Sequence, residues 1–183
     1  GGVGNAITAN SIYGNDELGI NLGTFGVQPN DVGDGDRGAN TLQNYPVLTE
    51  ALRTAAATVV NGTLNSATNR PFRLEFFDNV ECDPSSFGQG RTYLGFFDVV
   101  TDGSGNAAFS YVHPSPVAGG HFITATATDT NNNTSEFSRC VKVVPNDSVD
   151  LAVSSVDSLD PVPLASNLVY TVTVQNSGPT NAT

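Results

Sequence analysis

Apolar and polar residues alternate one by one in several segments of this chain, and no window keeps a helical apolar period for three turns. Phe72, Leu74 and Phe76 share one register, with Arg73 and Glu75 in the other. Ile123, Ala125 and Ala127 alternate with Thr124, Thr126 and Thr128. Leu168, Tyr170, Val172 and Val174 alternate with Thr171, Thr173 and Gln175. Successive side chains of a strand point to opposite faces, so this rhythm predicts strands with one face turned to a core. Thr, Val, Phe, Asn and Gly recur while Lys and Glu are sparse, which also favours strands and turns. The fold class expected is all-β.

Length and charge restrict the function classes. A chain of 183 residues, 38% hydrophobic and 14% charged, has enough apolar material for a core in one or two domains. The net charge is -11, with only 7 Lys and Arg together. Phosphate recognition needs clustered cations, so nucleic acid and anionic membranes are disfavoured as partners. No apolar run reaches the roughly 20 residues of a membrane helix, so no membrane insertion is expected within the chain. No secretory leader is recognisable, and a chain opening Gly1-Gly2-Val3 without any Met reads as processed or as a fragment. The 2 Cys and 2 His are too few and too scattered for a tetrahedral zinc site. Cys82 and Cys140 are either a free buried pair or one disulfide.

Turn chemistry divides the chain into four segments. In 1–23, Ile7, Ile12, Leu18, Ile20 and Leu22 alternate with Asn5, Asn10, Asn15, Asn21 and glycines. Strands of a few residues between sharp turns suit stacked coils, in which each coil covers the next. Segment 24–46 is an acidic, Gly-rich connector, too long to be an idle loop. Segment 47–145 holds seven candidate strands: Val47–Arg53, Thr58–Leu64, Phe72–Asp78, Tyr93–Thr101, Ala107–His113, His121–Asp129 and Glu136–Val144. That spacing is the spacing of an immunoglobulin-like β-sandwich. Asp102-Gly-Ser-Gly-Asn106 and Asp129-Thr-Asn-Asn-Asn-Thr134 read as loops between strands. Segment 146–183 offers two more strands, around Leu151 and Leu168, as the N-terminal part of a second sandwich.

Several pieces resemble known bacterial surface architecture. Asn10-Ser-Ile-Tyr-Gly-Asn15 and Leu18-Gly-Ile-Asn-Leu-Gly23 resemble terminal coils of a right-handed parallel β-helix of the pectate-lyase-like superfamily. Ala125-Thr-Ala-Thr-Asp129 with Asn133-Thr-Ser-Glu-Phe137 resembles the closing hairpin of bacterial immunoglobulin-like surface domains. Asp150-Leu-Ala-Val, Asp160-Pro161 and Leu168 to Pro179 resemble the opening of a bacterial surface repeat known only as the eleventh domain of unknown function. Together with Asn30 to Thr49, these resemble the C-terminal side of a bacterial right-handed β-helix-repeat surface protein. The resemblance implies an extracellular or cell-surface location. It thereby favours a Cys82–Cys140 disulfide and argues against glycosylation of Asn61, Asn132, Asn133, Asn146 and Asn181.

The connector supplies the best site candidate. Asp31, Asp34, Asp36 and Asn40 offer oxygen ligands within ten residues, among turn-forming Gly33, Gly35 and Gly38. Calcium takes six to eight hard oxygens, and a bound cation would relieve the repulsion of three close carboxylates. The alternative is a solvated acidic loop. Gly33-Asp-Gly-Asp-Arg-Gly38 is formally a dinucleotide fingerprint, but no strand leads into it and its acids would repel pyrophosphate. Asp129, Asn131, Asn133 and Glu136 form a second oxygen-rich stretch, read primarily as an Asn-rich turn. His113 and His121 are expected at the surface, and no catalytic constellation is found.

Two functions follow from different classes. The first is a non-enzymatic structural or adhesive segment of a secreted or surface-anchored multidomain protein, with a cell-surface ligand. The second is an accessory carbohydrate-binding region of a β-helix polysaccharide lyase or glycoside hydrolase whose catalytic coils lie upstream. In the second, Phe77, Phe87, Tyr93, Phe96 and Phe97 are candidates to stack on sugar rings of a polysaccharide. Against it stands the use of the same rings in the core.

Overall fold

The computed structural model describes residues 2–24, 26–146, 151–158, 161–176 and 178. Asp150, Asp160, Pro179 and Asn181, on which sequence expectations rest, lie outside them. The chain divides into two compact units, Gly1–Pro145 and Asn146–Thr183. The segments 1–23, 24–46 and 47–145 therefore belong to one body.

Seven strands build the first unit: β1 (Val47–Arg53), β2 (Thr58–Asn65), β3 (Pro71–Asn79), β4 (Thr92–Val100), β5 (Asn106–His113), β6 (Phe122–Asp129) and β7 (Val141–Pro145). They form one mixed sheet in the order β4-β3-β6-β7-β1-β2-β5. Strand β7 joins its halves. Lys142 and Val141 pair antiparallel with Phe122 and Ile123 of β6. Val143, Val144 and Pro145 then pair in parallel with Ala51, Leu52 and Arg53 of β1. The sheet folds over until its two edges, β4 and β5, nearly meet. A bulge lies at that approach: Phe76 opposes Gly95, but Phe77 opposes Tyr93, so Leu94 is extra in β4. Its carbonyl is free to accept the Tyr111 hydroxyl at 2.8 Å and faces His113 Nδ1 at 3.1 Å. Gly95 takes φ 137°, where a side chain is rarely tolerated, and a Cβ there would sit 2.5 Å from the Tyr111 oxygen.

Inside the fold lies the core the two-residue rhythm predicts. Phe72, Leu74 and Phe76 of β3 pack with Ile123, Ala125 and Ala127 of β6 and with Val60, Leu64, Phe109 and Tyr111. The Phe76 ring stacks on Tyr111 at 4.3 Å and meets Phe109 edge-on at 5.7 Å. Such pairs contribute about 0.5–1.5 kcal/mol beyond burial of area.

The other face of β3 and β6 departs from expectation. Thr124, Thr126 and Thr128 do occupy the opposite register, yet all three are buried, as is Glu75. The N-terminal arm (2–24 and 26–28) reaches Glu75 through Ala9, while Gly88 and Gln89 lie on Thr124 and Thr134 lies on Thr128. A second apolar cluster forms between arm and sheet, with Ile20, Phe77 and Phe137 buried and Ile7, Ile12 and Leu22 packed on them.

This arrangement does not confirm the stacked coils expected for 1–23. Among the described residues 2–24 the one β-type pairing is the antiparallel bridge Ile12–Gly90, whose partner belongs to the sheet body. The apolar pairs there are too short to build strands on each other, and their backbone donors go to side chains of the sheet body instead. Ala9 N–H donates to Glu75 Oε2 at 2.7 Å, and Ile7 N–H to Thr134 Oγ1 at 2.9 Å.

The predicted last strand, Glu136–Val144, is shorter in the structure, beginning only at Val141. Segment 133–138 runs beside β6 without regular pairing, because serine hydroxyls replace part of the ladder. Ser135 and Ser138 donate their N–H groups to Ala127 and Ala125 carbonyls, while their hydroxyls accept the N–H groups of those same residues at 2.9 Å. Among its described residues, the second unit contains one antiparallel strand pair, β8 (Leu151–Asp157) with β9 (Tyr170–Asn176).

Candidate functional site

The acidic connector docks on the end of β2 through its backbone. Asn44 is the hub: its amide oxygen accepts Asp31 N–H at 3.1 Å, and its amide nitrogen donates to the Asp31 and Asn65 carbonyls at 2.7 and 2.8 Å. Gly33 N–H donates to Asn65 Oδ1 at 2.8 Å. Asn30 and Tyr45 exchange a pair of bonds that close the loop, Asn30 Nδ2 to Tyr45 O at 2.8 Å and Tyr45 N–H to Asn30 Oδ1 at 3.0 Å. A Gly/Asp/Asn stretch suits this role, since Gly33 and Asp34 both adopt left-handed φ values, 78° and 57°.

This docking brings Asp31, Asp34 and Asp36 together, with one carboxylate oxygen of each within 4.8 Å of the others. Asp34 is anchored: Oδ1 accepts Asn44 N–H at 3.0 Å and Oδ2 accepts the Ser66 hydroxyl at 2.7 Å. Asp31 Oδ2 accepts Gly35 N–H at 3.0 Å. Asp31 Oδ1 and Asp36 Oδ1 are shielded from solvent and have no hydrogen-bond partner among the described residues. Burial pushes the Asp34 carboxyl above the usual range, with the charges of Asp31 and Asp36 adding, against the bonds from Ser66 and Asn44. Asp36 is raised by burial and then by Asp31. Three crowded carboxylates with unpartnered oxygens suit a hard cation in donor type.

Asn40 is committed elsewhere. Its amide oxygen accepts the backbone and side-chain N–H groups of Asn5, each at 3.0 Å, and its nitrogen donates to the Asn5 and Thr134 carbonyls at 2.8 and 2.9 Å. The chain turns through left-handed φ at Asn40, Thr41 and Leu42, and these bonds hold it there.

The second oxygen-rich stretch separates into two roles. Asp129 Oδ1 closes a turn by accepting Asn131 and Asn133 N–H groups at 2.8 Å. Glu136 points to the arm, where its two oxygens accept Leu22 N–H at 2.8 Å and Gln28 N–H at 2.9 Å. Asn133 Oδ1 accepts Gly4 N–H at 2.7 Å. Segment 133–138 thus clasps the arm at several points, a role the sequence reading missed. The signal present was a run of small polar residues around Glu136 and Phe137 where a regular strand was expected. Burial raises both Glu75 and Glu136, against the bonds from the arm N–H groups.

The sulfurs of Cys82 and Cys140 are bonded, tying the loop after β3 to the residue before β7. His121 Nδ1 pairs with Asp78 at 2.9 Å and is half-buried rather than free at the surface. Of the aromatic candidates, Phe77 is buried between Tyr93 and Phe137 and is unavailable to a ligand. Phe87 meets Tyr45 edge-on at 5.5 Å. Tyr93, Phe96 and Phe97 remain exposed along edge strand β4. Arg73, paired with Asp98 at 3.1 Å, lies 4.0 Å from the Phe96 ring centroid. Among the described residues no helix is long and apolar enough to cross a membrane.

No family model matches the chain, and no curated protein matches its sequence.

Proposed function

We propose that this chain is a non-enzymatic structural segment of a secreted or surface-anchored bacterial protein, in which an immunoglobulin-like sandwich and its N-terminal arm act as one stiff joint. The observation that carries this reading is the arm itself, fixed by backbone donors to buried side chains at Asn133, Thr134, Glu75 and Glu136. A merely tethered linker would not be so held. The disulfide fits an oxidising compartment. In this reading Asp31, Asp34 and Asp36 hold calcium, which neutralises the crowded carboxylates and locks the connector to β2. Thermal unfolding with millimolar calcium and then with chelator tests it. A cation bound only to the native state raises the melting temperature, and the rise disappears in Asp36→Asn. An equal melting temperature in both buffers removes calcium from the proposal. Proteolysis within 2–46 at native temperature, with the disulfide intact, removes the stiff joint.

A second reading, accessory carbohydrate binding, is favoured by the exposed Tyr93, Phe96 and Phe97 of β4. Binding to a polysaccharide that is lost in Phe96→Ala supports it. Retention in that variant sends the search to another surface.

A further inference from the structure

A cleft of about 330 Å³ opens where the arm passes the loops flanking β3 and β4, beside the disulfide. We propose that it is a binding site for a neutral saccharide, with the Tyr13 ring as the platform and Arg91, Glu81 and Asp83 as the polar contacts. This goes beyond the structural role above and is separate from the aromatic face of β4.

Three observations support it. First, the walls are fixed before any ligand arrives. Ile12 and Gly90 exchange two backbone bonds at 2.7 Å, and Cys82 is pinned to Cys140. Gln89 bonds Asn15 through both ends of its amide, its nitrogen reaching the Asn15 carbonyl at 2.9 Å, and also donates to Asp83 Oδ2 at 2.9 Å. Preorganised walls reduce the ordering cost of binding. Second, Tyr13 is 55% exposed, although Ile12 beside it packs on the second core. Third, the charges are mixed and only partly satisfied. The Arg91 guanidinium lies over one face of the Tyr13 ring, 5.0 Å from its centroid, leaving the opposite face for a sugar, and it forms no ion pair among the described residues. Glu81 stands at the same cleft.

The ligand class follows from these groups. An anion would meet Glu81 and Asp83 within a chain of net charge -11. A metal ion would meet the Arg91 cation. An apolar ligand would leave charged lining groups desolvated and unpaired. A sugar hydroxyl both donates to carboxylates and accepts from a guanidinium, while the C–H face of the ring packs on an aromatic. The volume lies at the lower end of small-molecule sites, which run from about 300 to 1,000 Å³, and suits the end of a short oligosaccharide.

The test is amide chemical-shift mapping of the full chain, disulfide intact, with glucose-, mannose- and galactose-based tetrasaccharides at millimolar concentration. Saturable shifts confined to residues 13–15, 79–83 and 89–91 with one of the three are expected. Tyr13→Ala and Arg91→Ala should each weaken binding by about tenfold or more, Tyr13→Phe should retain it, and Phe96→Ala should leave it unchanged. Because Tyr13 and Arg91 are surface side chains, the variants' unchanged spectra elsewhere confirm folding. No saturable shift with any of the three sugars overturns the proposal, as does binding that survives Tyr13→Ala. Loss of binding in Phe96→Ala alone overturns this site in favour of the β4 face. None of these outcomes depends on calcium or on the stiffness of the arm.

Discussion

Strands β6 and β9 carry nearly the same rhythm and meet opposite fates. Phe122-Ile-Thr-Ala-Thr-Ala-Thr-Asp129 and Tyr170-Thr-Val-Thr-Val-Gln-Asn176 both alternate apolar residues with threonine. In β6 every residue from Ile123 to Thr128 is buried, the apolar row in the core, with Gln89 bonded to Thr124 and Thr134 to Thr128 on the threonine row. In β9 every residue is exposed, including Tyr170, Val172 and Val174. Alternation therefore specifies a strand and its two faces, while coverage of each face depends on what else in the unit reaches it. A two-stranded hairpin has no second layer of its own and is marginal in water.

The comparison breaks most severely at the disulfide. Its sequence separation is 58, and closing a loop of that size stabilises by about 4 kcal/mol in the chain-entropy model. Cys82→Ser with Cys140→Ser should lower the urea midpoint of the first unit accordingly, while the β8–β9 signals stay unchanged. If both shift together, the two units are not independent.

The next largest effect concerns the arm. Phe137 is buried between Phe77 and Ile20. Phe137→Ala should cost about 3 kcal/mol, near the low end for a core aromatic because the arm can partly collapse into the space. Hydrogen exchange should accelerate at Ile7, Ala9 and Leu22 before it does in β2 or β5. Uniform acceleration would mean that arm and sheet unfold as a single step.

A smaller and more pointed test uses the threonines. Thr126 Oγ1 is buried with no hydrogen-bond partner among the described residues. Thr126→Val keeps the shape and removes the orphaned hydroxyl, so it should stabilise by about 1 kcal/mol. The same change at exposed Thr173 should stay within about 0.5 kcal/mol. Equal effects at both sites would erase the distinction between the covered and uncovered strand.

The pH dependence is read by direction. Glu75, Glu136, Asp34 and Asp36 have folded pKa values raised above the ordinary 4.5 and 3.8, chiefly by burial. Between the ordinary and the raised values the native state binds more protons than the unfolded chain, so stability falls as pH rises through that window. Asp83 and Asp102 work the other way. Asp83 is lowered by bonds from Ser85 and Gln89 that outweigh its burial, and Asp102 by bonds from Asn106 and Ser104. Their contribution is lost as pH falls below about 3.8. In chelator, the melting temperature of the first unit should rise from neutral pH toward about 4.5 and fall again below 3.8. Glu75→Gln, which keeps an acceptor for Ala9 N–H, should flatten the rise. A melting temperature that only decreases on acidification would contradict the assignment of buried, raised carboxylates.

Local chemistry made much of the sheet legible. The predicted Val47–Arg53 strand matches β1, and the next five differ from their strands only at the ends. The Asp102 loop forms as expected, with Asp102 Oδ1 accepting Ser104 and Asn106 N–H groups at 2.8 and 2.9 Å. The acidic group was legible as three of its four residues, because Asp31, Asp34 and Asp36 lie in one tight loop. Asn40 was not, since its partners Asn5 and Thr134 are remote in sequence.

The order of residues alone sets the all-β character of the chain, which residues share a strand face, and where several of its turns fall. Those properties arise from steric and hydrogen-bonding preferences acting over a few neighbouring residues. Folding in three dimensions settles that the arm packs on the sheet, that β7 joins both halves, and that Tyr13 meets Arg91. Each of these depends on groups far apart along the chain: Gly4 reaches Asn133 across 129 positions, and Ala9 reaches Glu75 across 66. Closing such distances costs chain entropy that no local pattern encodes, and the structure meets that cost only when buried carboxylates, amides and aromatic rings all find their partners at once.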